Sequence, residues 1–265
     1  MSRRDGLDLG VLAALGAGIV AVTVASGSGE PSREHPGPYA AAMVAGLVLW
    51  AAAAAWVLRR RPRGRWAMGI VLLVALAARL ALVPHAPDLS GDINRYVWDG
   101  GVTAQGINPY RHAPEDPRLA FLRDDAGVYP GINRKPVPTI YPPAAQDVLF
   151  GLHLAGARGV TSLKLAFALI DVVSVALLGL LLLRLGLAPE RSLLYAWHPL
   201  AISEIGRSGH IDVLAILLMV GALLAHTARR PIASGGLLAG APPVKFYAAP
   251  TLPAPPLFGG ARART

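Results

Sequence analysis

The chain has no cysteine among its 265 residues. That excludes disulfides, thiol nucleophiles and cysteine-type zinc sites. Charge is scarce too: 15% of residues are Asp, Glu, Lys or Arg, against roughly 25% in an ordinary soluble domain. Lysine occurs only at Lys135, Lys164 and Lys245. Aromatic residues make up 6% and form no aromatic and basic surface on which bases would stack. The net charge of +9 therefore makes no case for a nucleic-acid partner. What fills the chain is apolar: 54% hydrophobic residues, with a mean hydropathy of +0.47. That excludes a disordered chain and argues against a soluble globular one. The wealth of Ala, Gly, Pro and Arg beside so little Lys is the coding bias of a high-GC, bacterial genome, and carries no function.

Leu9–Gly29 and Pro36–Leu58 hold no charged residue. Each exceeds or matches the about 20 residues that cross a hydrocarbon core. Trp66–Val83 is a third run, with Arg79 near enough to its end to snorkel. A cleaved signal peptide is the other reading of the first run. The second run follows it too closely for that, and Ser26–Glu30 makes a poor cleavage site. Arg59, Arg60, Arg61, Arg63 and Arg65 mark the loop between the second and third runs as cytoplasmic, and Arg3 and Arg4 put the N-terminus on the same side. Residues beyond Val83 then lie outside. Leu165–Leu183, Ser192–Ser203, Ile211–Thr227 and Ser234–Phe258 are later apolar runs. Tyr141–Ala157 is read as a re-entrant or surface-lying helix, because that choice keeps Arg184, Arg191, Arg229 and Arg230 inside. The expected fold is all-α: a polytopic helical membrane protein with about seven transmembrane helices and a long extracytoplasmic loop carrying short amphipathic helices. Prolines crowd the last run, at Pro242, Pro243, Pro250, Pro253, Pro255 and Pro256. Such density breaks helices and predicts a chain that is incomplete or frame-shifted near its end.

Pro84–Ile140 is the polar exception. It holds Asp88, Asp92, Asp99, Glu115, Asp116, Asp124 and Asp125. A loop this long is functional or disordered, and its Trp, Tyr and apolar content argues for order. Asp92–Gly100 reads as a short helix, capped by Ser90 or Asp92 and ended by Gly106. Asp92, Arg95, Tyr96 and Asp99 fall on one face, with Ile93 and Val97 on another side. The pattern predicts an amphipathic helix resting on the membrane surface. A solvated face with an ion pair is the plainer reading of that cluster. Gly106–Tyr110 is a turn, which plain loop punctuation also explains. Thr139–Pro143 opens another helix, with Tyr141 as an interfacial anchor.

These stretches carry a resemblance. Asp92–Gly100, then Gly106-Ile107-Asn108-Pro109-Tyr110, then Tyr141-Pro142-Pro143 resemble the first large external loop of the polyprenyl-phosphate-sugar-dependent glycosyltransferases. These are integral-membrane enzymes of the GT-C type, and the bacterial mannosyltransferase-like family is nearest. Trp197-His198-Pro199-Leu200, Ser208-Gly209-His210-Ile211-Asp212 and Gly236-Leu237-Leu238 leading to Lys245 resemble it as well, each weakly alone. The likeness runs from about Pro87 to Pro250. Two features depart from the family. Its paired acids before the helix are here Ser90-Gly91-Asp92, and its members typically make ten or more crossings.

The resemblance implies three parts: residues 1–83 as N-terminal membrane helices, 84–162 as an extracytoplasmic catalytic loop, and 163–265 as C-terminal membrane helices. It implies transfer of a sugar, mannose above others, from a polyprenyl-phosphate donor to a glycan or glycolipid acceptor. The reaction is a single displacement with inversion, on the outer side of the bacterial cytoplasmic membrane. Asp92 is the implied base, with Asp88 second. A carboxylate takes the proton of a poorly nucleophilic hydroxyl as the bond forms. Arg95 and Lys245 are the candidates for the leaving phosphate. Lys245 stands in an apolar run, where an ionisable group is functional by default, although snorkelling or a misplaced helix end would also account for it. Tyr96, Asp99, Asn108, Tyr110, Tyr141, His210 and Asp212 complete the expected substrate contacts. Helix capping by Ser208 and Asp212 is the plainer reading of the last stretch. Asp171 is expected to be structural. A divalent cation between Asp88 and Asp92 is compatible with oxygen ligands, but the spacing is not diagnostic and no metal or cofactor is assigned. A transporter or lipid-linked-sugar flippase would spread ionisable groups along its crossings, where only Arg79, Asp171 and Lys245 stand out. An inactive remnant of the enzyme is the third reading.

Overall fold

A computed structural model describes residues 3–27, 36–60, 65–87, 89–124 and 127–251. Asp88, Asp125, part of the arginine-rich loop, the Ser28–Glu30 part of the signal-cleavage stretch and the last prolines fall outside these residues.

Every regular element among them is helical. Helices α1 (Arg3–Gly27), α2 (Pro36–Arg60) and α6 (Val160–Arg184) have 25 residues each. At 1.5 Å per residue each measures about 37 Å, enough for a hydrocarbon core of about 30 Å. All three are apolar enough to cross a membrane. Three further apolar helices are shorter: α3 (Arg65–Leu82), α9 (Asp212–Thr227) and α10 (Pro231–Gly240). Helix α5 (Pro143–Leu154) has 12 residues. It spans about 18 Å and cannot cross by itself.

Helix α3 packs against α1 and α6, α6 against α9, and α9 against α10. Residues 189–207 form a chain of short pieces: a 3-10 turn, α7 (Leu193–Ala196), α8 (Pro199–Ile202) and a π-turn at Ser203–Arg207. They climb along α3. Ser192 Oγ donates to Met68 Sδ near the start of α3, Trp197 Nε1 donates to the Val71 carbonyl, and Gly206 lies against Arg79 and Leu82 near its end. Trp197 is fully enclosed in a core shared by α1, α2, α3 and this broken segment.

Pro199 has no N–H to continue the ladder, so the break leaves carbonyls to satisfy. Arg79 does part of this. Its Nη1 donates to the carbonyls of Ala75 (3.0 Å) and Ala196 (2.9 Å), and its Nε donates to Asp171. Arg79 thus lies fully buried, which corrects the expectation that it snorkels. A buried acid on α6 was within reach, so the guanidinium turned inward to it rather than outward to a membrane surface. Asp171 also accepts from the Tyr195 hydroxyl, so the structural reading of this acid holds.

Helix α4 (Asp92–Ala104) begins at Asp92, and Gly106 follows its end at φ +72°, as the sequence suggests. The cap expected of Ser90 or Asp92 does not form: Gly91 is the N-cap and no side chain caps the helix, while Ser90 Oγ accepts only from the Asp92 N–H at 3.3 Å. Its surroundings are not those expected. Residues from Ile93 to Gly100 are all buried. Tyr96 packs edge-on to Tyr141 and Phe167, in a core built with α5, α6 and α9. Trp98 and Val102 meet Leu119 and Ile132 of the loop on another side. The helix is therefore not a surface-lying amphipath. The loop after it folds back and covers the polar face that the sequence left open to water.

The last apolar run is corrected as well. Helix α10 stops at Gly240, ahead of Pro242 and Pro243. Lys245 thus lies past a helix end, as a misplaced end would have it, rather than within an apolar crossing.

Candidate functional site

Asp92 stands at the first turn of α4, half-buried. Its Oδ1 accepts from Asn133 Nδ2 at 2.9 Å. Burial and the nearby Asp92 charge raise the Tyr141 pKa well above its ordinary value. Asn133 reaches Asp92 because the loop approaches α4 at Gly91. A Cβ added to Gly91 would sit 2.9 Å from the Gly131 carbonyl oxygen. A second acid at position 91 would thus displace the loop that brings Asn133. The Ser-Gly-Asp sequence trades one carboxylate for this donor.

Arg95 and Asp99 form a buried i,i+4 ion pair of 2.8 Å. Arg95 Nη1 also donates to the Val137 carbonyl at 2.9 Å. Asp99 Oδ2 accepts from Gln146 Nε2 at 3.0 Å, which ties α4 to α5. Burial raises the Asp99 pKa; Arg95, Thr139 and Gln146 pull it back without cancelling the rise. Asn108 and Tyr110 brace the turn. Asn108 Oδ1 accepts from the Tyr110 N–H, and the Tyr110 hydroxyl donates to the Tyr141 carbonyl at 2.6 Å. Tyr96 is enclosed behind Asp92, and its hydroxyl has no partner.

His210 and Asp212 come from the turn before α9. The π-turn sends the Ser208 N–H to the Ser203 carbonyl and the His210 N–H to the Glu204 carbonyl, both at 3.0 Å. Gly209 sits at φ +67°, and a Cβ there would press on Ile93 and Lys164 at 2.9 Å. Only glycine fits such a corner. The turn aims His210 Nδ1 at the Glu204 carboxylate, which it meets as a short hydrogen-bonded pair. Asp212 is the first helical residue and pairs with Lys245 Nζ at 2.9 Å. The capping expected of Ser208 and Asp212 does not form, since neither side chain caps α9. The Asp212 carboxylate is paired with Lys245 instead.

Two cavities meet here. One, of 570 Å³, is lined by Asp92, Arg95, Asn133, Arg134, Tyr141 and Lys245 among others. The other, of 770 Å³, runs past Leu194, Leu200, Ala201, Ile205 and Ile216 to Glu204, His210 and Asp212. Lys245 and Tyr247 line both. The chamber that carries these polar side chains thus opens onto a more apolar cleft at Lys245 and Tyr247. Arg134 holds φ +50° at the chamber's edge, a conformation that costs energy for a non-glycine residue.

Of the expected site residues, Asp92, Arg95, Tyr141, His210, Asp212 and Lys245 line this pair of cavities. Tyr96 and Asp99 sit behind the wall, and Asn108 and Tyr110 support it. Asp88 lies outside the described residues. The sequence reading missed Asn133, Arg134 and Tyr247, and gave Glu204 no role. Only the Ser-Gly-His-Ile-Asp turn, which Glu204 precedes, offered a signal. Among the described residues no group of three or more His, Asp or Glu side chains is placed to hold a metal ion.

Residues 6–258 match the model of a family described as alpha-(1->6)-mannopyranosyltransferase, N-terminal domain. No curated protein and no solved structure matches the chain.

Proposed function

The chain belongs to the alpha-(1->6)-mannopyranosyltransferase family, and from that membership we propose that it transfers mannose from a polyprenyl-phosphate donor to a hydroxyl of a glycan or glycolipid. One observation carries the reading: an apolar cleft suited to a lipid tail joins, at Lys245, a polar chamber that contains Asp92. A soluble nucleotide sugar needs no such cleft. A phosphate held at that joint would have the lipid on one side and the sugar on the other.

The chemistry follows that order. Asp92 accepts the proton of the acceptor hydroxyl as its oxygen bonds the anomeric carbon. The bond from that carbon to the phosphate oxygen breaks, and polyprenyl phosphate leaves toward Lys245. Asn133 holds the carboxylate in place. The departing phosphate gains negative charge, so a fixed cation stabilises the transition state more than the ground state. The transition state has oxocarbenium character, and Asp92 is near enough to temper it. Inversion to an α linkage requires a β-configured donor. The site works on the extracytoplasmic side of a bacterial cytoplasmic membrane, with Arg59 and Arg60 at the opposite face.

The test uses membranes carrying the chain, with labelled polyprenyl-phosphate-mannose and endogenous acceptors. The parent transfers label, and Asp92→Asn, at equal abundance, loses about 100- to 10,000-fold, the usual worth of a positioned base. Full activity in Asp92→Asn would remove Asp92 as base. Label that crosses sealed vesicles uncleaved would identify a flippase instead.

A further inference from the structure

The reading above leaves one constellation without a role. Glu204 and His210 face each other across the π-turn, and both line the apolar cleft rather than the polar chamber. The pair is built twice over. The His210 N–H binds the Glu204 carbonyl, and its ring Nδ1 meets the Glu204 carboxylate. π-turns of this kind recur at functional sites. With Nδ1 occupied, the ring's orientation is set and Nε2 is the nitrogen left for a ligand.

The groups around His210 decide its charge. Glu204 precedes it in the π-turn, Asp212 begins α9, and Asp92 lies on α4. Lys245 and Tyr247, past α10, line the same cleft, as do Tyr195 and His198 of the broken segment. Burial alone would drive the proton off, but the hydrogen bond and charge of Glu204, with Asp212 and Asp92, outweigh it and raise the pKa. Negative neighbours thus keep a cation where the cleft turns from apolar to polar.

We infer that His210, aligned by Glu204, is the cation that receives the lipid phosphate at the cleft side of the site, so that donor affinity follows the protonation of this one imidazole. The inference rests on the polyprenyl-phosphate reading above. Glu204 is a positioning residue, since it acts through the ring. As the donor phosphodiester becomes a leaving phosphomonoester its negative charge grows, and the imidazolium favours that step as Lys245 does.

The experiment measures binding of polyprenyl-phosphate-mannose to the purified full chain in lipid nanodiscs, without acceptor, from about pH 5 to 9, the range in which histidine titrates. A phosphodiester carries a constant charge there, so any pH dependence belongs to the protein. The parent should bind tightly at low pH and about tenfold more weakly once His210 is neutral, the worth of one charged hydrogen bond. Glu204→Gln should move that fall to lower pH. His210→Gln should bind weakly at every pH. His210→Lys should bind tightly throughout, which shows that the site is folded. A midpoint unmoved in Glu204→Gln, or parent-like binding in His210→Gln, overturns the assignment alone. A parent that binds at one strength at all pH values does the same. A parent that binds no polyprenyl-phosphate-mannose overturns the donor reading and this inference with it.

Discussion

Two clusters of charge sit in the apolar body of this chain. Arg79, Asp171 and Tyr195 form one; Lys245, Asp212, His210 and Glu204 form the other. By residue type they look alike, and an ionisable group in a membrane segment is a functional candidate by default. Their surroundings separate them. Arg79 and Asp171 are fully enclosed, and Arg79 Nη1 donates to the carbonyls of Ala75 and Ala196. Lys245 and Asp212 each keep about a third of their side chains exposed, Lys245 on the wall shared by two cavities and Asp212 in one of them. The first cluster holds a helix break together. The second has room for a ligand beside it. Charge in an apolar setting is therefore a poor guide to a site until its access to a cavity is known.

Breaking the enclosed cluster should have the larger effect on folding. Arg79→Met leaves Asp171 a lone buried charge and strips the Ala196 carbonyl of its donor. Removing one partner of such a pair costs about 3–5 kcal/mol. Arg79→Met should lower the thermal midpoint sharply and reduce the amount recovered in membranes. The double variant Arg79→Met, Asp171→Leu should regain part of that loss, since it buries no charge. Equal stability of parent and Arg79→Met would place Arg79 with the second cluster.

A middle effect comes from the wall beside the open cluster. Gly91→Asp restores a second acid at the start of α4, but its Cβ meets the Gly131 carbonyl. The strain should cost about 1–3 kcal/mol and pull Asn133 from Asp92. Transfer should fall although a carboxylate has been added. A gain in transfer would show that the pair of acids, and not Asn133, is what the site lacks.

Lys245→Met should barely change stability. An ion pair this exposed contributes at most about 1 kcal/mol. Its effect belongs in turnover: kcat should fall about tenfold, the worth of a charged hydrogen bond made to the departing phosphate. A large drop in thermal midpoint with an unchanged kcat would make the second cluster structural like the first.

The spans of α1 and α2 were legible from uncharged runs, that of α6 from an apolar run broken by Asp171, and α4 from Asp92 to the turn at Gly106. Periodicity reports which residues share a face. It does not report what covers that face, and so α4 read as a surface helix when α5, α6 and the returning loop enclose it. Pairings across long separations left no local mark either. Arg79 meets Asp171 from 92 residues away, and Asp212 meets Lys245 from 33. Asn133 belongs to no repeating pattern. The π-turn was half visible: Gly209 beside His210 suggests a tight corner, but nothing local says that the corner returns to Glu204.

The smallest effect is a pH dependence of stability, and it too divides the clusters. His210 holds its proton more tightly in the folded chain than at its ordinary value of 6.5. The stabilisation this brings is complete below that value and is lost as pH rises through the raised one. The enclosed cluster contains no histidine and should add nothing across that window. Thermal unfolding followed upward from about pH 6 should therefore show a gentle decline in the parent. Glu204→Gln should flatten it, because the principal group raising the His210 pKa is gone. Asp171→Leu should start from a much lower midpoint yet decline with the parent's slope. If Asp171→Leu changed the slope as well, the two clusters would be titrating as one, and the separation drawn between them would fail.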